Sequence, residues 1–321
     1  MILSKKIESV YKNKIVNRCD NPLGIFYFSH EDFEDLEMIP FAFMSSLGHK
    51  LQGYFYFYPN YDKNRFVIFD HGFGNGHRAY MKEIEKLCKA GFLVFSYDHT
   101  GCMASEGKNT GGFCQSLVDL NDCVQALKSH EMTKSLQIMV VGHSWGAFST
   151  LNIPALHPDI THIVAISGFL SVDSIINQNF TGLLSLYRKS IHALEASLFG
   201  KFVAYDAVSS LKSYEGKVLA IYSDNDSLVK KSWSYDVLYK YFGKKDNFSF
   251  ILEKNKAHNP NYTYEAIAYM GKFFKELSLT AKQKLLVTKE QQEQFMSRWD
   301  WNKMTEQDDV LWNRIVNHLQ S

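Results

Sequence analysis

Between about residues 65 and 277, short apolar runs alternate with segments of helical periodicity, and few architectures accommodate that alternation. The runs are Arg65–Asp70, Phe92–Tyr97, Leu136–Val141, His162–Ser167, Lys217–Tyr222 and Phe248–Leu252. Between them, His77–Ala90 repeats Met81, Ile84, Leu87 and Cys88 at helical spacing, and Gly91 ends it. Gln115–His130 does the same with Leu117, Leu120, Val124 and Leu127. Trp145–Leu156 is a helix whose last turn Pro154 must bend or shorten. Asn261–Leu277 carries Tyr264, Ile267, Met270, Phe274 and Leu277. Strands that alternate with helices pair in parallel, so the expected fold is α/β, a mostly parallel central sheet with helices on both faces. Upstream, Phe41–Ser45 and Leu51–Tyr58 read as a hairpin across Ser46-Leu47-Gly48-His49.

The alternation breaks once, at 170–215, which is too long for an ordinary connection and rich in leucine, including Leu183, Leu184, Leu186, Leu194 and Leu198. It is expected to be a helical cap inserted over the sheet. The domain division is then an extension at 1–40, a core at 41–169 and 216–278, a cap at 170–215, and a helical extension at 279–321. In that extension Trp312, Ile315, Val316 and Leu319 share one helical face, which suggests a homodimer contact.

Composition excludes several classes. The 321 residues have a formal net charge of +1, so neither nucleic acid nor an anionic membrane surface is an expected partner. No uncharged apolar run reaches the roughly 18 residues of a membrane span. Five cysteines, an odd number without CxxC spacing, fit reduced thiols, and Met1–Lys6 opens no apolar leader. A cytoplasmic location is expected. His77, His99 and His162 lack metal-ligand spacing and no H-E-x-x-H occurs, so neither metal nor organic cofactor is expected.

The run Leu136–Val141 leads into Gly142-His143-Ser144-Trp145-Gly146. A serine hydroxyl attacks well only when held exposed beside a base and beside donors for an oxyanion. A sharp strand-to-helix turn does this, and it needs small residues where strand and helix crowd together. Ser144 is therefore the candidate nucleophile. Downstream strand ends supply the other groups. Ser223-Asp224-Asn225-Asp226 follows Lys217–Tyr222, and Ala257-His258-Asn259 follows Phe248–Leu252. His258 is the only histidine between Ala193 and Arg314. Asp226 is preferred as the acid because Ser-Leu-Val after it leads into a helix, with Asp224 as the alternative. Backbone N–H groups of Phe73, in His71-Gly72-Phe73-Gly74, and of Trp145 are the candidate oxyanion donors. His71, Asp98 and His143 are read as loop-ordering residues, and Trp299 and Trp301 as packing anchors.

These segments resemble the α/β-hydrolase superfamily, in its cap-bearing branch of serine aminopeptidase-like hydrolases and monoglyceride-lipase-like esterases. Tyr97–Gly107 is also similar to the family's Asp-x-Arg-Gly-x-Gly-x-Ser-x-Gly loop, with Thr100 in place of Arg and Met103 in place of the second Gly. The resemblance covers about residues 41–277. It implies a serine hydrolase that cleaves small to medium carboxylic esters with an apolar part held beneath the cap. A triad of this type also serves aminopeptidases and amidases, thioesterases and acyltransferases. Aminopeptidases of this branch usually hold the substrate ammonium with acidic cap residues, and here Asp173, Glu195, Asp206 and Glu215 are scattered. A non-catalytic binding protein on the same fold is the reading from another class.

Overall fold

The computed structural model describes residue 11 and residues 16–321. The stretch Met1–Lys6, read above for a leader, and the rest of 1–10 and 12–15 in the 1–40 extension lie outside the described residues.

Eight strands form one sheet: β1 (Glu37–Met44), β2 (Lys50–Phe57), β3 (Arg65–Asp70), β4 (Leu93–Tyr97), β5 (Gln137–His143), β6 (His162–Ile166), β7 (Lys217–Ser223) and β8 (Phe248–Glu253). Their order is β1-β2-β4-β3-β5-β6-β7-β8. The pairs β1/β2 and β2/β4 are antiparallel, and the rest are parallel. β1 starts earlier than its apolar run because Pro40, which lacks an N–H, is tolerated on an edge strand.

Among the described residues the α-helices are α1 (Met81–Lys89), α2 (Gln115–Ser129), α3 (Trp145–Asn152), α4 (Val172–Asn179), α5 (Arg188–Phe199), α6 (Ala207–Leu211), α7 (Tyr235–Phe242), α8 (Tyr264–Lys282), α9 (Lys289–Met296), α10 (Trp301–Met304) and α11 (Asp309–Gln320). Pro154 has the expected effect, since α3 stops at Asn152 and one tight turn, Ile153–Ala155, follows.

Alternation along the strands divides the core between two faces. Phe66, Ile68, Val140 and Ala165 pack against α2, α3 and α7, through side chains such as Leu117, Phe148 and Leu238. Val67, Phe69, Val141 and Ile166 pack on the opposite face against α1 and α11. α11 buries Leu311, Trp312, Ile315 and Leu319 there, each worth about 1.5–3 kcal/mol by removal from water. The helical face expected to meet a second copy is thus turned onto the chain's own sheet.

α8 does not lie on the sheet, although its amphipathic pattern suits that position. Its Phe273 belongs to a third, smaller cluster with Leu286, Phe295, Met296 and Met304. α8 and α10 pack together, with Trp301 and Trp299 at ring-centroid distances of 5.5 and 5.2 Å from Phe273. Periodicity reports one apolar face, but not which surface that face meets.

Residues 170–215 do form helices between β6 and β7, namely α4, α5 and α6. Ile175, Ile176, Ile191 and Phe199 join the main core, whereas Leu183, Leu184, Leu186 and Leu198 face solvent.

Candidate active site

β5 ends at His143 and α3 begins at Trp145, so Ser144 makes the whole turn alone. Its backbone is at φ 56°, ψ −110°, a region that costs a non-glycine residue roughly 1–3 kcal/mol. Neighbours hold it there. Its N–H donates to Ile166 O at 2.8 Å, and its carbonyl accepts from Phe148 N–H at 3.0 Å. The flanking glycines are set by space. A Cβ on Gly146 would sit 2.1 Å from Asp70 O, and one on Gly142 would sit 2.3 Å from Thr150 Oγ1.

The loop after β8 brings His258 to the serine. His258 Nε2 lies 2.8 Å from Ser144 Oγ, and its Nδ1 lies 2.7 Å from Asp226 Oδ2. Nδ1 facing a carboxylate carries the proton, which leaves Nε2 free to accept from the hydroxyl. Asp226 is itself held, because Oδ1 accepts from the N–H groups of Leu228 and Val229 at 2.8 and 3.0 Å. Asp224 points elsewhere and is exposed. Its Oδ1 accepts from Asn255 N–H at 2.9 Å and so braces the loop that carries His258.

Sequence reasoning passed over Lys256, which is fully buried in that loop. Its Nζ donates to Tyr262 O and to Asp308 Oδ2, the latter at 2.7 Å. Asp308 also caps α11 through Val310 and Leu311 N–H. The loop is thereby fastened to the helix covering the far face of the sheet. A buried lysine two residues before the histidine carries no periodic signal.

His143 sits behind His258. Gly72 N–H donates to Tyr80 Oη at 3.1 Å, and Tyr80 Oη lies 3.0 Å from His143 Nδ1. His143 Nε2 lies 3.0 Å from the carbonyl of His258. Tyr80 is then the donor to Nδ1, and Nε2–H donates to the carbonyl. Burial pushes His143 down to about 3, so the ring is neutral as this pattern requires. One chain of hydrogen bonds joins the Gly72–Phe73 loop to the His258 loop.

The floor of that first loop is charged. His99 Nε2 lies 2.8 Å from Asp70 Oδ1, and its Nδ1 lies 3.3 Å from Asp119 Oδ2. Burial would lower its pKa, but the two carboxylates outweigh burial and raise it to about 9. Above it, His71 is pushed down to about 3, chiefly by burial. His71 Nδ1–H donates to Gly72 O at 2.8 Å, and Nε2 accepts from His99 N–H at 3.0 Å. Asp98 accepts from the backbone N–H and Nδ1 of His77 at 2.9 and 2.8 Å, which is the loop-ordering role expected of it.

Trp145, at the first turn of α3, has a backbone N–H with no partner within the helix. The ring of Phe73 meets the Trp145 indole edge-on at 4.9 Å. Trp145 Nε1 donates to Phe113 O at 2.7 Å. The Phe113 and Cys114 N–H groups donate in turn to the buried carboxylate of Glu195 on α5, at 2.9 and 3.3 Å. Tyr11 Oη donates to the same carboxylate. Glu195 therefore connects 170–215 to the elbow, although the residue does not reach the cavity.

A cavity of about 610 Å³ opens at Ser144 and His258. Its walls are Phe26 and Phe28 of the amino-terminal segment, Met270 and Phe274 of α8, and Trp301 of α10. No residue of 170–215 lines it, and among the described residues no aspartate or glutamate does. The expectation of an apolar site roofed by 170–215 is thus corrected: the roof comes from both ends of the chain. Trp301 packs, as expected, and also faces the cavity.

A family model for serine aminopeptidase S33 hydrolases matches residues 62–243. The chain belongs to this family. It is a serine hydrolase with the α/β-hydrolase fold. Among solved structures it is similar to an esterase of Pyrococcus furiosus, at 21% identity and TM-score 0.60, over 89% of this chain and 98% of that one. It is similar also to an acetyl xylan esterase of Paenibacillus sp. R4, at 13% identity and TM-score 0.57, over 80% and 88% of the two chains. A third similar structure is acetyl xylan esterase 1 of Thermoanaerobacterium sp. JW/SL YS485, at 16% identity and TM-score 0.54, over 82% and 96%. At these identities the likeness is one of fold. No protein with a curated function matches the sequence. The S33 match stops before His258 and before the helices that wall the cavity. No described helix is long and apolar enough to cross a membrane.

Proposed function

We propose that this S33-family chain is a carboxylesterase whose catalytic groups are Ser144, His258 and Asp226. The observation that carries the ester reading is the cavity at Ser144, which is aromatic and apolar and lacks any carboxylate among its described lining residues. An aminopeptidase must hold an α-ammonium group. Asp173, Glu195, Asp206 and Glu215 all stand outside this cavity, and among the described residues the only Lys or Arg lining it is Arg78. That residue donates to the Tyr27 and Phe28 carbonyls at 3.0 and 3.3 Å.

In this reading His258 Nε2 takes the Ser144 proton as Oγ attacks the ester carbonyl. Asp226 holds the imidazole tautomer and stabilises the imidazolium. The Phe73 and Trp145 N–H groups receive the oxyanion, each worth about 3 kcal/mol of transition-state stabilisation. His258 then protonates the departing alcohol, and a water that it deprotonates releases the acid from the acyl-enzyme. The 170–215 segment is proposed as an insertion that braces the elbow through Glu195. Phosphonylation by a fluorophosphonate probe and turnover of p-nitrophenyl esters test the assignment. Labelling that persists in Ser144→Ala places the nucleophile elsewhere. Hydrolysis of aminoacyl p-nitroanilides in preference to esters replaces the ester reading with the peptidase one.

A further inference from the structure

We propose that α8 forms the wall for one apolar arm of the ester and that Gly271 sets how long that arm can be. This rests on the esterase reading above and extends it to substrate class, an ester with an extended hydrocarbon chain. Ile267, Met270, Gly271 and Phe274 all line the cavity, and their spacing places them on one face of α8. Three of the four are bulky and apolar. The fourth has no side chain, and a Cβ built on it meets no atom within 4 Å. Glycine in a helix interior costs stability relative to alanine, and neither a turn nor a close backbone approach requires it here. What its absence of a side chain provides is open volume beside Met270 and Phe274, on the solvent-exposed side of the cavity wall. A hydrocarbon chain seated at Ser144 can extend into that gap along an apolar wall.

The test uses Gly271→Ala, Gly271→Leu and Gly271→Phe, with Lys272→Phe as a control that adds the same bulk off the cavity-lining face. Two substrate series separate the two possible arms. Acyl length is varied in p-nitrophenyl acetate, butyrate, octanoate and decanoate. Alcohol length is varied in methyl, butyl and octyl acetates, followed by acid release. The readout is kcat/KM for the longest member over that for the shortest. This ratio should fall stepwise from Ala to Leu to Phe, by about tenfold or more for Phe. The series in which it falls identifies the arm. Lys272→Phe should keep the wild-type ratio, and Gly271→Ala should melt at a higher temperature than wild type. Where Gly271→Phe loses all turnover, the trend from Ala to Leu decides. Ratios unchanged in both series overturn the role of Gly271 and leave the esterase reading intact. A folded wild type that hydrolyses neither series overturns the esterase reading itself.

Discussion

His143 Nε2–H donates to the carbonyl oxygen of His258 at 3.0 Å, so the residue beside Ser144 holds the backbone of the proposed base. Imidazole position at Ser144 is therefore set from two sides, by Asp226 at Nδ1 and by His143 at the main chain. Tyr80 completes the arrangement by orienting His143 and accepting from Gly72 N–H. Tyr80→Phe removes both functions and leaves two buried groups unpaired, at a stability cost of about 1–3 kcal/mol. We expect kcat to fall about tenfold, equivalent to about 1.4 kcal/mol, with KM little changed. Steady-state kinetics and urea denaturation of the variant check both.

The acid is decided by comparing two isosteric changes. Asp226→Asn removes the carboxylate that fixes the His258 tautomer, and kcat should fall by about ten-thousand-fold. Asp224→Asn keeps an oxygen that can accept from Asn255 N–H and should stay close to wild type. The opposite order of activities refutes the assignment.

Stability should peak near neutral pH. His71 and His143 are held down to about 3 by burial, against an ordinary value of 6.5. Between those values the unfolded chain binds more protons than the folded one. Stability then falls as pH drops, by up to about 1.4 kcal/mol per pH unit for each ring. His99 has the opposite sign, since its folded value is raised to about 9. Its contribution is complete below 6.5 and is lost as pH rises through 9. Denaturation midpoints measured across this range should trace the two limbs, and His99→Gln should flatten the alkaline one.

Glu195→Ala should act on the elbow at a distance. It strands the N–H groups of Phe113 and Cys114, whose loop positions the Trp145 indole. A stability loss of about 1–3 kcal/mol is expected, with a drop in kcat larger than any change in KM. A change in KM alone would remove Glu195 from this role.

Trp312→Ala should cost about 3–5 kcal/mol, because a large side chain on the sheet is deleted rather than an interface residue. Sedimentation of the folded variant should give the same mass as wild type. A shift in mass would restore the interface reading of α11.

Legibility followed the range of the physics. The central strands were readable because β3 to β7 are buried on both faces and appear as unbroken apolar runs. The elbow was readable because Gly142 and Gly146 sit where any side chain collides with backbone or Thr150. His258 and Asp226 stand at strand ends, where the parallel order of β5 to β8 brings loops together. What stayed hidden depends on partners distant in sequence. Tyr80 lies 63 residues from His143, and Lys256 lies 52 from Asp308. The apolar stripe on α8 was visible, but sequence periodicity is the same whether a helix faces a sheet or a cavity. Here α8 faces the cavity, and α11 packs on the sheet.

The fastening of Lys256 to Asp308 also bears on when the enzyme becomes active during its synthesis. Ser144, Asp226 and His258 are all translated before α11, yet one anchor of the loop that carries His258 stands at the start of that helix. A chain emerging from the ribosome therefore presents these three residues before that tie can form. On the proposed assignment, the last-translated hold on the loop of the base is made only when α11 docks.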